Sequence, residues 1–265
     1  MVRVLENVTQ KFIDYILQKP IIVVLAGDQG GGKSALAGTI AELFHEKYPL
    51  GIVGWYGDLD KICPVDNDHW FRVTGMKPLP PLSRQMFHIV DEMGSNVSSR
   101  RASSKENVLW ASFSYEHRHY RAWVIPIAVR IKALDIAIRD VRNVKIVKRL
   151  TAPDQLNYIR ETWRWDDSIV NTLNSLDDDE AIVQFPDMTG GIIYNDLPSF
   201  WDQNYSRHDQ EFDKIVHENR QKILPTIIDG EIDPDLEAEL DLNEKPKKLR
   251  GKKNQIWDKN APTIR

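Results

Sequence analysis

The chain has 265 residues, a formal net charge of −4 and one cysteine, Cys63. That length allows a substantial core in one large domain or a domain with appendages, while the lone cysteine excludes an internal disulfide framework and fits a reducing interior. The mild acidity argues against a generally basic nucleic-acid binder, and no uncharged apolar run approaches the ~20 residues of a membrane span.

The first segment, "VLENVTQKFIDYILQK", sets Leu5, Val8, Phe12 and Ile16 along one helical face, with Glu6, Lys11 and Asp14 interrupting the apolar run. This predicts an amphipathic helix within residues 1–19 and excludes a signal peptide. Next comes "PIIVVLA", Pro20 to Ala26, a short β-branched run that reads as a strand. The following loop is Gly27, Asp28, Gln29, Gly30, Gly31, Gly32, Lys33, Ser34 and Ala35, which fits G-x-x-x-x-G-K-[ST] at every fixed position. Glycines let successive backbone N–H groups turn inward toward phosphate oxygens, and the helix that follows adds the positive end of its dipole. Lys33 is assigned to the β- and γ-phosphates, and the Ser34 hydroxyl to Mg²⁺, a cation that takes oxygen ligands. The predicted ligands are therefore ATP and Mg²⁺. An ordinary glycine turn would not need this context of strand, loop and the helical "KSALAGTIAELFHEKY", with Leu36, Ile40, Leu43 and Phe44 at helical spacing.

Strand-like runs then alternate with helical ones: "GIVGWYG" at 51–57, "MFHIV" at 86–90, "AWVIPIAV" at 122–129 and "VKIV" at 144–147. The alternation predicts a mainly parallel sheet flanked by helices. Between Asp58 and Gln85 the prolines of "KPLPPL" predict an extended, exposed connector. A hairpin is expected from "AIVQF" to "IIYN", and a charged amphipathic helix from about His208 to Ile223. The expected organisation is the N-terminal helix (1–19), a nucleotide-binding domain (20–224, with its motif core at 20–150) and a charged, disordered tail (225–265).

The run "MFHIV" leads into Asp91 and Glu92. A buried strand ending in a carboxylate beside a phosphate loop completes a Mg²⁺ shell, which assigns Asp91 with Ser34 to the metal. Glu92, a second carboxylate at the γ-phosphate, is suited to orient and polarise water, so hydrolysis is the expected reaction. Other clusters read as weaker signals. "DLDKICPVDNDHW" gathers Asp58, Asp60, Asp66, Asp68 and His69 but lacks the glycine and terminal glutamate of a calcium loop. His117 and His119, at i and i+2, face different ways on a helix and read as structural. The tryptophans of "ETWRWDD" and "SFWDQNY" read as core or interface anchors.

With these motifs, the layout from "DEMGSNVSSRR" through "ENVLWASFSYEHRHYR", "AWVIPIAV", "RIKALDIAIRD" and "VKIVKRL" resembles the FtsK/HerA superfamily of P-loop ATPases over roughly residues 20–150. Within it, the chain looks most like small viral genome-packaging ATPases and zonula occludens toxin-like phage assembly proteins. The resemblance implies a RecA-like P-loop fold and a ring, usually a hexamer, that hydrolyses ATP to move double-stranded DNA in the host cytoplasm or the virion. The basic "KPKKLRGKK" of the tail suits DNA phosphates or a capsid or membrane-assembly partner. Such rings complete each site with a neighbour's arginine, for which Arg100, Arg101, Arg118, Arg121 and Arg139 are candidates. One departure stands out: where members carry a polar sensor this chain has Ala128 and Val129, and Arg130 one residue later reads equally as a substitute or as a flanking surface arginine. The alternatives are a membrane-associated DNA-extrusion ATPase, a P-loop kinase, disfavoured by Glu92, and a nucleotide-dependent adaptor, kept open by Ala128-Val129.

Overall fold

The structure, a computed structural model, describes residues 6–57, 69–79, 82, 84–96, 104–139, 143–201 and 226–228. Helix α1 (Thr9–Gln18) leads to strand β1 (Val23–Ala26), helix α2 (Lys33–Lys47) and strand β2 (Ile52–Tyr56). Strands β3 (Trp70–Thr74) and β4 (Met86–Val90) follow, then helices α3 (Met93–Asn96) and α4 (Lys105–Glu116), strand β5 (Ala122–Ala128), helix α5 (Ile136–Arg139) and strand β6 (Val144–Val147). Helices α6 (Pro153–Thr162) and α7 (Asp167–Thr172) precede strands β7 (Glu180–Gln184), β8 (Gly190–Tyr194) and β9 (Thr226–Ile228). These strands form one sheet in the order β8-β7-β6-β1-β5-β4-β2-β3-β9. Pairing is parallel from β6 to β9, and β7 and β8 extend the other edge as an antiparallel hairpin.

The central strands are continuous apolar runs because both faces of the sheet are covered, so alternation is replaced by burial at every position of β1, β2, β4 and β5. Period-two geometry still sorts the side chains. Val24 and Ala26 join one core with Trp110 and Phe113 of α4 and Ile159 of α6, whereas Val23 and Leu25 join the other with Phe12 and Ile16 of α1 and Leu36, Ile40 and Phe44 of α2. Full burial of each such Leu, Ile or Phe contributes about 1.5–3 kcal/mol, enough to hold the strand ends in a fixed frame. Beneath β4, Leu79 N–H donates to the Tyr56 hydroxyl at 2.8 Å, so the phenolic hydrogen is free to donate to His88 Nδ1 at 3.0 Å. Complete burial holds the His88 imidazole neutral, its pKa lowered to about 3.

Two segments differ from the sequence reading. The 58–85 connector contains β3, whose Trp70, Phe71 and Val73 are buried, because a strand covered on both faces lacks the alternation that would have marked it. Thr226–Ile228, inside the expected tail, pair with β3 as β9. The rest of that tail, the expected helix at 208–223 and the aspartates 58, 60, 66 and 68 lie outside the described residues. Trp163 and Trp165 are buried core residues, as expected, and His117 is buried with Nδ1 2.7 Å from the Ser114 carbonyl.

The start of α1 is joined to the hairpin by Val8 N–H donating to the Ile192 carbonyl and Ile192 N–H to the Glu6 carbonyl, each at 2.9 Å. Gly191 permits this approach, since a Cβ there would collide with the Glu6 carbonyl and sit 2.9 Å from a Val8 methyl. Gly191→Ala should therefore loosen α1 and destabilise the protein by about 1–3 kcal/mol, read as a lower urea midpoint. An unchanged midpoint would show that the N-terminal segment does not depend on this contact.

Candidate nucleotide site

Strand β1 ends at the point where connections diverge: β5 lies on one side of it and β6 on the other. In open α/β sheets the crevice beyond the carboxyl ends at such a switch point is where ligands bind. Residues 27–32 occupy it and lead directly into α2. Gly30 and Gly32 adopt φ of 76° and 72°, the left-handed region that costs glycine little, and this lets the loop close without side-chain clashes. Helix α2 begins at Lys33, so its unpaired N-terminal amides face the loop.

Lys33 is buried at 8% exposure, and its ammonium donates to the Asp28 carbonyl at 2.7 Å across the loop. Desolvation lowers its pKa, opposed by the charges of Asp91, Asp28 and Glu92. On the first turn of α2, the Ser34 hydroxyl donates to Asp91 Oδ2 at 3.1 Å. Burial raises the Asp91 pKa, while hydrogen bonds from Ser34 and from the Glu92 amide favour its charged form. A hydroxyl and a carboxylate at this spacing form a hard-oxygen donor set, which fits Mg²⁺ completed by waters and phosphate oxygens. Glu92 is exposed and holds φ at 46°, a left-handed conformation rare for a non-glycine residue and one that concentrates at functional sites. The structure thus brings Lys33, Ser34, Asp91 and Glu92 to one edge of the sheet.

Of the arginine candidates, Arg118 and Arg121 stand away from this edge. Arg118 and Arg121 precede β5, whose first residue pairs with the first residue of β4 and whose last pairs with the last of β1. They therefore stand at the opposite edge, roughly 20 Å from the loop at ~3.3 Å per residue. The length of β5 separates Arg118 from its own chain's loop, so the role expected of it is one at a neighbour's site. Arg139 lies over the Tyr158 ring at 5.2 Å and donates to the Lys132 carbonyl, and Arg100 and Arg101 lie outside the described residues. Arg130 follows β5 at the loop's own edge and is exposed.

Sequence reasoning missed how β6 and the hairpin collar the loop. Asp28 N–H donates to the Arg149 carbonyl at 2.8 Å, and the Asp28 carboxylate accepts from Thr151 N–H at 2.8 Å and its hydroxyl at 2.7 Å. Lys148, fully buried, donates to the Asp178 carbonyl and to Asn195 Oδ1. The only signal in the sequence was the basic pair closing the "VKIVKR" strand, which a surface reading absorbs equally well.

Fold and loop together define a P-loop NTPase architecture. No protein-family model and no curated protein matches the chain. Among solved structures, it is similar to the genome packaging NTPase B204 from Sulfolobus turreted icosahedral virus 2 in complex with sulfate, at 13% identity and a TM-score of 0.53, covering 68% of this chain and 98% of that one. The same NTPase in complex with ATP-gammaS aligns at 15% identity and a TM-score of 0.50, over 67% and 98% of the two chains. B204, the DNA-packaging ATPase from Sulfolobus turreted icosahedral virus, aligns at 14% identity and a TM-score of 0.51, over 68% and 100%. These likenesses establish the shared fold, in line with the superfamily resemblance carried by the motifs.

Lys33→Ala should weaken Mg·ATP binding on the order of a hundredfold, because the backbone cradle alone cannot offset the triphosphate's charge. Titration calorimetry with ATPγS checks this, and unchanged affinity would remove the loop from the binding site.

Proposed function

We propose that the protein is a Mg²⁺-dependent ATPase that moves DNA, working as an oligomeric ring in viral genome packaging. The observation that carries the chemistry is the convergence of Lys33, Ser34, Asp91 and the strained Glu92 at the switch point of the sheet. Lys33 holds phosphate charge, Ser34 and Asp91 hold the metal, and Glu92 orients the attacking water. The metal, when bound, neutralises charge on the phosphate oxygens. DNA movement is supported by the fold shared with a DNA-packaging ATPase and by the basic stretch of the C-terminal segment.

A ring would bring a neighbour's arginine to each site. No arginine lies within residues 27–35, and Arg118 stands at the opposite edge of its own sheet, so a role for it at a phosphate group would be in a neighbouring subunit's site. An arginine in trans would meet the charge that develops on the transferred phosphoryl group and tie turnover to assembly. Among the described residues no helix is long and apolar enough to cross a membrane, which lends no support to the membrane-associated alternative.

A nucleotide-dependent adaptor is the competing reading, favoured by one observation: β5 ends beside the loop in Ala128, paired with Ala26 and followed by Val129, neither of which has a polar side chain to offer a phosphate or water. Phosphate release measured with and without double-stranded DNA separates the two. Glu92→Gln should cut hydrolysis by roughly 10²–10⁴-fold while ATPγS binding persists. Equal release by variant and parent would make Glu92 structural, and a parent inert even with DNA would establish the adaptor.

A further inference from the structure

We infer that Lys148 is a second lysine of the nucleotide site, a positioning residue that braces the last glycine of the phosphate loop against the hairpin and adds a fixed positive charge beside it. This rests on the nucleotide reading above. Lys148 is the residue immediately after β6, and no part of its surface reaches solvent. Its ammonium lies 3.2 Å from where a Cβ of Gly32 would stand, and the Asp178 carbonyl is 2.9 Å from that same point. Gly32 is therefore clasped between Lys148 and the 177–179 turn, directly before the lysine and serine that open α2. The clasp is held by Lys148 donating to the Asp178 carbonyl and, at 2.9 Å, to Asn195 Oδ1.

The chemistry of these partners argues for more than packing. Both are neutral oxygens, and they use two of the three ammonium donors. A buried cation with neutral partners is expensive, and a Met side chain of similar length would fill the space without that cost. An anion arriving in the adjacent loop offsets it. The carboxylates that face the group, Asp178, Asp179 and Glu180, act at longer range and oppose desolvation, while Lys33 adds to its effect. Desolvation leads, and the Lys148 pKa falls to about 8 from 10.5. Arg149, the next residue, is turned aside into a pair with Asp178 at 3.4 Å.

Lys148→Met in the full chain tests the inference, with ATPγS as probe and thermal unfolding without nucleotide as the control. At pH 7 the variant should bind about tenfold more weakly while its melting temperature stays near the parent's, because loss of a buried charge costs the fold little. The gap should narrow as pH rises above about 8, where the parent's Lys148 sheds its proton in the nucleotide-free state. A merely structural lysine would give the reverse, a changed melting temperature with unchanged affinity at pH 7, and that result overturns the inference. If Lys148→Met does not fold, Asn195→Ala keeps the charge but loosens its hold: a several-fold loss of affinity with the pH dependence retained supports the role, and parental affinity overturns it. A parent that binds no ATPγS overturns the nucleotide reading itself and this inference with it.

Discussion

The hydrogen bond from Ser34 to Asp91 joins the ends of two strands that do not touch. Strand β5 lies between β1 and β4, so with strands ~4.8 Å apart the two ends are separated by roughly 10 Å. The gap closes because Ser34 projects from the first turn of α2, Asp91 from the residue after β4, and β5 ends between them in the small Ala128. Every other property of the site depends on that span. It depends on the parallel pairing of three strands, with Ala26 opposite Ala128 and Val90 opposite Pro126, and it places the hard-oxygen pair where a cation can reach it.

The same constraint explains what could be read from the sequence. The phosphate loop is legible because its determinants are local: left-handed glycines, a lysine and a serine within nine residues, flanked by strand and helix periodicity. Asp91 and Glu92 are legible for the same reason, as carboxylates ending an apolar run. Strand β3 was hidden because burial on both faces erased its alternation, and the nearby prolines pointed to an exposed connector instead. Lys148 was hidden for a different reason. Its meaning comes from Asp178 and Asn195, 30 and 47 residues away, and no local pattern encodes those contacts.

The phosphate loop is also less independent than its motif suggests. Both of its shoulders are held by one segment: Asp28 by Arg149 and Thr151, and Gly32 by Lys148 with the 177–179 turn. Residues 195–200 continue from that clasp over α2, where Thr39 donates to the Asp196 carbonyl at 2.8 Å and Ser199 N–H donates to Glu42 at 3.0 Å. Gly38 gives this strap room, since a Cβ there would stand 3.0 Å from the Phe200 ring. The segments on either side of the hairpin thus touch loop and helix together, and β8 in turn bonds the start of α1 through Ile192 and Val8.

Electrostatics then decides how the site fills. Lys33 faces Asp91, Asp28 and Glu92, and desolvation disfavours the charged form of both Lys33 and Asp91. A bare triphosphate entering this edge would meet Asp91 and Glu92 as repulsion, and a dication held by Ser34 and Asp91 would complete its shell with waters or phosphate oxygens. Together the two ligands cancel each other's difficulty: the phosphates supply oxygen ligands to the cation, and the cation screens phosphates from carboxylates. In the proposed site nucleotide and metal would therefore be coupled ligands, and by reciprocity each would raise the affinity for the other by the same factor.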